Sequence, residues 1–305
     1  MAAQLGLTRA SIWRIVRELS SFGVEIQAVR GRGYRLPIAL EWLSSEEIIS
    51  AMPHRYRSEI QHLHVLCSTD STNSWLLRQA HTEGVSVCFA EHQSAARGRR
   101  GRSWLSPLGG NLAFSMRFRF EPGMTQLGGL SLIMALAMLR ALRDQGVEGL
   151  MVKWPNDLVW QGRKLAGILL EIAGEPTGPC SVVAGIGLNF SIPDNLAASL
   201  DQPLVDLATI TPGLGRNQLA ACLLGHLLDA LNLFKTEGLS AFKDEWRLFD
   251  WLDGQPLSLL QGEQSIQGRG CGIAADGSLC IEVDGVHQYH SFGEVSVRRQ
   301  EPYRA

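Results

Sequence analysis

Four arginines broken by glycines, in Ala96-Arg97-Gly98-Arg99-Arg100-Gly101-Arg102, lie between two segments that read as strands. The apolar run Val85 to Ala90 leads in, and the alternating run Asn111 to Phe120 leads out. A helix would spread these guanidinium groups around its circumference, and the glycines disfavour one. A loop held between two strands can instead fold cations and backbone amides onto an anion. The run alone leaves a solvated basic loop as the alternative.

The chain has 305 residues, enough for two or three domains. It is 45% hydrophobic and 19% charged with a net charge of −2, the balance of a globular domain and not of a general nucleic-acid binder. Any basic function must therefore be local, and positive charge does gather in residues 9–35 and 97–102. Cysteines 67, 88, 180, 222, 271 and 280 are scattered, with no CxxC and no zinc spacing. That pattern implies reduced thiols, a cytoplasmic location and no resident metal. No signal peptide is read, and no apolar run is read as long enough to span a membrane. Leu127 to Leu142 comes nearest and is expected to be a core helix.

Toward the N-terminus, Leu5-Gly6-Leu7-Thr8 reads as a helix end, a tight turn and a cap. Ile12, Ile15, Val16, Leu19 and Phe22 then recur on one helical face, opposite Arg9, Ser11, Trp13, Arg14 and Arg17. Val24 to Val29 and Tyr34 to Leu36 flank Arg30-Gly31-Arg32-Gly33 as a hairpin with a basic tip. Turn, basic helix and basic hairpin follow the order of a winged helix-turn-helix, in which a helix enters the major groove and the hairpin touches phosphates. A small helical cap with a solvated basic face fits the same pattern. The helix that normally precedes the turn has no room after Met1, so the domain is expected to be truncated.

In the central stretch, Ser44 and Glu47 have capping-box spacing. Cys67-Ser68-Thr69-Asp70-Ser71-Thr72-Asn73-Ser74 joins a strand to an apolar helix beginning near Trp75. One or two such residues suffice to cap a helix, so the surplus points to a polar ligand. Leu127 to Arg143 reads as a long apolar helix. In Val152-Lys153-Trp154-Pro155-Asn156-Asp157, Pro155 ends a strand and displays Asn156 and Asp157 where pairing gives out. Lys164 opens the apolar run Leu165 to Ile172, either as an edge lysine or as a charge held at a site. Val182 to Phe190 carries Gly185 and Gly187, which permit close approach to its backbone or mark a bulged, tightly packed strand. Asn217 to Lys235 and Leu239 to Phe249 read as helices.

The last stretch carries five short strand-like runs, Pro256 to Leu260, Gln264 to Ile273, Leu279 to Val283, Val286 to His290 and Glu294 to Arg298, which suggest a small barrel. His287 and His290 have no Cys or acidic partner at ligand spacing, so no metal site is read there.

Several of these stretches together resemble one family, the biotin–protein ligases that double as repressors of the biotin operon. The resemblance covers almost the whole chain. It rests on Asp70-Ser71-Thr72-Asn73, Glu91-His92-Gln93, Arg97 to Arg102, Lys153-Trp154-Pro155-Asn156-Asp157, Arg163 to Glu171, Gly185-Ile186-Gly187-Leu188-Asn189 and Gly293-Glu294-Val295-Ser296. It implies an α+β multidomain chain: a winged helix-turn-helix over residues 1–43, a central catalytic α/β domain with a class II synthetase-like mixed sheet over 44–250, and an SH3-like β-barrel over 251–305. It also implies a two-step reaction. Biotin attacks the α-phosphate of ATP-Mg2+ to give biotinyl-5′-adenylate and pyrophosphate. A lysine of the biotin carboxyl carrier protein then takes the biotinyl group.

Carried onto this chain, the resemblance assigns biotin to Ser71, Thr72, Asn73, Gln93, Arg97, Gly98, Arg99, Lys164, Gly185 and Gly187. It assigns the nucleotide to Arg99, Arg102, Trp104, Asn156, Asp157, Lys164 and Asn189, and catalysis to Lys164, Arg97 and Arg99. Operator DNA falls to Thr8, Arg9, Ser11, Trp13, Arg14 and Arg32, with a homodimer formed when the adenylate is bound. The chemistry suits these residue types: hydroxyls and amides match a ureido ring, and cations match a carboxylate and phosphates. The sequence departs from the family at Ala96, where glycine is usual. If that position needs a positive φ, Ala96 costs about 1 kcal/mol or more.

Two other readings stay open: a biotin-sensing DNA-binding regulator without catalysis, and a ligase that no longer binds DNA. The Arg loop, Lys164 and Lys153 to Asp157 weigh against the sensor, which has no use for phosphate-handling groups. A lipoate ligase is disfavoured by the winged-helix start and the Arg-Gly-rich loop.

Overall fold

Thr8 begins the first helix, α1 (Arg9–Ser21), by accepting the amide of Ser11 at 3.1 Å. The computed structural model describes every residue except 1, 3, 38–39, 81–82, 175, 198–201, 262–263, 292–295 and 300–305. On α1 the apolar stripe buries Ile12, and Trp13 and Arg14 face outward. Two short antiparallel strands, β1 (Gln27–Val29) and β2 (Gly33–Arg35), form the wing, with Arg32 in its turn. Residues 4–6 lie in a turn before α1. The unit rests on the central domain where the Phe22 carbonyl accepts the Leu108 amide at 2.8 Å and the Phe22 ring tilts against His92 at 4.9 Å.

The linker is tied down before the first central helices, α2 (Ser45–Ala51) and α3 (His54–Arg57). The Ser44 hydroxyl caps α2 as expected, but the Glu47 carboxylate does not turn back to close a capping box. It accepts Asn217 Nδ2 at 2.9 Å, and the Ser44 amide donates to Asn217 Oδ1 at 2.8 Å. A tertiary neighbour thus supplies the partners that local spacing assigned to the box.

The central elements follow as β3 (Ile60–Thr69), α4 (Thr72–Arg78), β4 (Val85–Gln93), β5 (Asn111–Phe120), α5 (Leu130–Asp144), β6 (Leu150–Lys153), β7 (Asp157–Trp160), β8 (Arg163–Gly174) and β9 (Cys180–Asn189). Short helices α6 (Asp194–Ala197) and α7 (Leu207–Ile210) precede α8 (Arg216–Glu237) and α9 (Lys243–Phe249). The seven strands form one mixed sheet in the order β3-β4-β5-β9-β8-β7-β6. Only β3 and β4 run parallel, because α4 carries the chain back between them; all other neighbours are antiparallel. The core joins Phe89, Phe114, Met116 and Phe118 of the sheet to Leu132, Leu136, Leu139, Leu224, Leu227 and Leu231 of α5 and α8. Against the reading that no segment is long enough to cross a membrane, Arg216–Phe249 is long and apolar enough. Its apolar window is 61% buried, and α8 packs on α5, so that apolarity serves the core.

Beyond α9 the chain forms β10 (Pro256–Gln261), β11 (Gln264–Ile273), β12 (Leu279–Val283), β13 (Val286–His290) and β14 (Ser296–Arg299). They make an antiparallel sheet ordered β13-β12-β11-β10-β14. Four of the five predicted runs match these strands closely; the last starts at Ser296, and Gly293, Glu294 and Val295 lie outside the described residues. Among the described residues β13 and β14 do not pair, so the sheet is open and the expected closed barrel is not formed by them. Trp154 ties this sheet to the central one: its ring is buried and Nε1 donates to the Gly277 carbonyl at 3.0 Å.

Candidate active site

The β3–α4–β4 crossover sets the polar run Asp70 to Ser74 at the carboxyl ends of two parallel strands, a common position for ligands in α/β sheets. Ser71 stands at the N-cap of α4, yet its side chain makes no capping bond. The task passes to Gln93 at the end of β4, whose Oε1 accepts the Thr72 amide at 2.8 Å and the Thr72 hydroxyl at 3.2 Å. Asp70 accepts the Ser71 amide at 2.8 Å and both guanidinium nitrogens of Arg78, at 2.7 and 2.8 Å. The Arg78 pairing holds the Asp70 carboxyl well below the usual carboxylate range. Asp70 and Arg78 fix the turn, which leaves Ser71, Thr72 and Asn73 to face the sheet, all three buried.

The basic loop is a small closed structure hung from the ends of β3 and β4. The amides of Ser94 and Ala95 each donate at 2.9 Å, to the carbonyls of Thr69 and Asp70. Gly98 donates to the Arg102 carbonyl at 2.7 Å, and Trp104 to the Ala96 carbonyl at 3.0 Å. Ala96 is not among the residues with positive φ; the left-handed conformation falls on Arg100, at φ 58°, followed by Gly101 at 69°. The strain expected at Ala96 is therefore absent there.

Arg97 and Arg99 point different ways from this loop. Arg97 donates to Ser74 Oγ at 2.9 Å and to both oxygens of Glu171, at 2.9 and 3.2 Å. Arg99 donates to Asn156 Oδ1 at 3.3 Å. Burial, and then repulsion from Arg100, lowers the Arg99 pKa, with Asp157 opposing and Arg102 adding to the fall. A guanidinium so placed favours a nearby anion. Arg102 is exposed at the rim.

Lys164, at the start of β8, is mostly buried and lies 2.8 Å from Asp157 Oδ1, with its ammonium 5.3 Å from the Trp104 ring centre. Trp154, Pro155 and Asn156 form the turn between β6 and β7, which sets Asn156 and Asp157 beside β8. Asn156 Nδ2 donates to the Ile168 carbonyl at 2.6 Å. Gly185 and Gly187 of β9 do permit close approach. A Cβ on Gly185 would collide with Asn73 Oδ1, and one on Gly187 would lie 2.5 Å from Trp104 Cε2. The Trp104 Nε1 is buried with no hydrogen-bond partner among the described residues, an orphan donor beside Gly187 and Lys164. Asn189 stands behind this layer and bridges the carbonyls of Lys164 (3.2 Å) and Val205 (3.1 Å).

Two groups in the constellation escape the sequence reading. Ser115 of β5 has its Oγ within hydrogen-bond reach of both Thr72 and Asn73. Glu171, at the end of the quoted motif, accepts Asn73 Nδ2 at 2.6 Å as well as Arg97. Ser115 has no local signal, being one polar position in an alternating strand; a carboxylate closing an apolar run was the signal for Glu171. In the C-terminal sheet the reading that His287 lacks partners is corrected. Glu282 sits opposite it in register, 4.0 Å away, and Cys271 lies close to both. On α1, Thr8 and Ser11 bond to each other at the cap, and Trp13 is half exposed with Arg17 over its ring at 4.8 Å.

Comparisons with known proteins find relatives over almost the whole chain. Family models described as HTH domain, Biotin/lipoate A/B protein ligase family, and Biotin protein ligase C terminal domain match residues 1–35, 65–189 and 254–298. The bifunctional ligase/repressor BirA of Escherichia coli is 38% identical over 298 residues, spanning 97% of this chain and 91% of that protein. BirA of Bacillus subtilis is 30% identical over 298 residues, spanning 94% and 89%. Among solved structures, the biotin protein ligase from Aquifex aeolicus in complex with biotin and ATP superposes with a TM-score of 0.68 at 28% identity, covering 79% of this chain and all of that one (100%). The chain thus belongs to the biotin–protein ligase family, in the form that carries an N-terminal helix-turn-helix.

Proposed function

We propose that the chain is an ATP-dependent ligase that forms biotinyl-5′-adenylate and transfers biotin to a lysine of a biotin carboxyl carrier protein. In its adenylate-bound state it acts as a DNA-binding repressor of biotin biosynthesis. The observation that carries the reading is a run of polar groups along one side of the sheet: Thr72, Gln93 and Ser115 bond to one another, Glu171 joins Asn73 to Arg97, and Gly185 and Gly187 lead from Asn73 to Trp104, over which Lys164 stands. The named activities of the relatives and the helix-turn-helix match support it.

The residues divide the work by chemistry. Ser71, Thr72, Asn73 and Gln93, with the backbone at Gly185 and Gly187, suit a ring that both donates and accepts. Arg97, Gly98, Arg99 and Lys164 suit the biotin carboxylate. Lys164 and Arg99 draw carboxylate and α-phosphate together and stabilise the charge that builds on the phosphoryl oxygens as the new C–O–P link forms and pyrophosphate leaves. Arg102, Trp104, Asn156 and Asp157 lie on the nucleotide side. ATP would enter as its magnesium complex, and the Asp157 carboxylate, now paired with Lys164, would be a candidate oxygen ligand for the ion. Asn189 acts from behind by holding the backbone of Lys164. The carrier lysine then attacks the acyl carbonyl and AMP leaves. A loop closed over the adenylate excludes the water that would hydrolyse it.

Residues 1–43 form the DNA-binding domain, 44–250 the ligase domain and 251–305 a C-terminal domain that we assign to the SH3-like class, on its five short antiparallel strands and the matching C-terminal family model. Arg9, Trp13, Arg14 and Arg32 face the operator, with Thr8 and Ser11 ordering the helix start. Two adenylate-bound copies would pair on symmetric half-sites. The protein works in the cytoplasm, without a membrane.

The test is biotin-dependent exchange of pyrophosphate into ATP by the purified chain. Exchange is expected, and Lys164→Ala should depress it by about two orders of magnitude or more while thermal unfolding changes little. No exchange in the unaltered protein would favour the sensor reading. Retarded operator DNA only with biotin and ATP present would support repression; no retardation under any condition would leave a ligase without DNA binding.

A further inference from the structure

On the face of the core helices away from the basic loop, α5 and α8 bring together three side chains from distant parts of the sequence. Asp144 is the last residue of α5; Cys222 and His226 stand one turn apart on α8 and so share a face. His226 Nε2 lies 2.8 Å from Asp144 Oδ2, and one donor atom from each of the three residues lies within 4.8 Å of the others. The cavity at this point is also lined by Glu148, a second carboxylate, outside the 4.8 Å group. Arg140 and Arg143 rim it too, but their guanidinium groups are engaged with α9 and the turn before it. Arg140 pairs with Glu245 and lies 5.5 Å from the Phe242 ring centre, and Arg143 lies 5.4 Å from that of Phe249.

A hydrogen bond between His226 and Asp144 would by itself clamp the two helices. It does not require a cysteine one turn before the histidine and in reach of the same point. Thiolate, imidazole and carboxylate on two rigid, packed helices form the mixed donor set that suits a tetrahedral, borderline-soft cation. We propose that Asp144, Cys222 and His226 form a transition-metal site of the Zn2+ class, with Glu148 or water as fourth ligand, that cross-links α5 to α8. On binding, the Cys222 thiol loses its proton to solvent and the metal–sulfur bond forms; no redox change is involved. A second group, Cys271, Glu282 and His287, lies on the C-terminal sheet; Glu282 and His287 are about as exposed as Asp144, but no pair of packed helices holds them and no 2.8 Å contact joins them. It serves as the control.

The full-length protein, stripped of metal by a chelator, is titrated with Co2+. A near-ultraviolet thiolate-to-cobalt band and strong visible bands of tetrahedral coordination are expected, both bleached by Zn2+. Cys222→Ser should abolish the near-ultraviolet band, His226→Ala should weaken binding by about tenfold or more, and Cys271→Ser should change neither. A missing band in the unaltered protein, a band that survives Cys222→Ser, or a band lost in Cys271→Ser would each overturn the proposal. A measurement without variants guards against misfolding. Zn2+ should slow alkylation of Cys222 by about tenfold or more, with the exposed Cys67 unaffected. Equal rates at Cys222 with and without Zn2+ would overturn the proposal as well.

Discussion

Ala96 stands where the family resemblance expects glycine, and the backbone decides what that means. The left-handed position in the loop belongs to Arg100, not to Ala96, whose carbonyl already accepts the Trp104 amide. Ala96→Gly should therefore relieve no strain. Its main effect is a freer unbound loop, so adenylate affinity is expected to stay level or fall by a few-fold, not rise. A tenfold tighter adenylate in a calorimetric titration would show that Ala96 is the strained position after all. The basic loop was legible as a candidate anion site because glycine and arginine are unambiguous in what they permit and carry. Its anchor was less so. Glu171 closes an apolar run and names no partner, and only the pairing of β8 with β9 carries it toward Arg97 and Asn73.

At the scale of elements, α8 is fixed by its first residues. Glu41 accepts the amides of Arg216 and Asn217, at 2.6 and 3.1 Å, at the positive end of the helix. Arg216 is buried against Glu91 of β4, 2.8 Å away, and donates to the Asn111 carbonyl at the same distance. Removing one partner strands the other charge out of water, so Arg216→Ala should cost about 3–5 kcal/mol in urea unfolding. A loss below about 1 kcal/mol would mean that water reaches Glu91 when the arginine is removed. The outward face of α1 makes the contrasting case. Arg14 is exposed, so Arg14→Ala should weaken operator binding several-fold in a gel shift and leave carrier biotinylation unchanged. Equal loss of both activities would contradict a separate DNA-binding element. Element types and most boundaries were readable from periodicity. The partners of α8 were not, because a buried arginine at a helix start has the same sequence signature as an exposed one.

Across the whole molecule, Asp250 sits where α9 gives way to the C-terminal sheet. It accepts Trp246 Nε1 at 3.0 Å and the Leu252 amide at 2.9 Å, and burial pushes its pKa up to about 6. An acid raised in the folded state binds a proton that the unfolded chain has already released between about pH 4 and pH 6. Stability should therefore fall as pH rises through that window, by about 3 kcal/mol at most. Asp250→Asn should flatten this slope whatever it does to the absolute stability, measured by urea unfolding across the pH series. A slope that persists in Asp250→Asn would place the titration elsewhere.

By itself the sequence determined the strands and helices and the chemistry available to the chain. Side-chain periodicity, turn residues and the spacing of Arg97 to Arg102, Lys164 and Thr72 are local properties that survive without a fold. Tertiary structure decided what each polar group faces. It made Gln93 the cap of α4, turned Asn189 to hold the strand backbone, and joined Glu171 to Arg97. It also brought Cys222 and His226 to Asp144, where linear spacing read no metal. Hydrogen bonds and ion pairs act over a few ångströms between segments far apart in the chain, and only the packing of sheet on helix sets those distances.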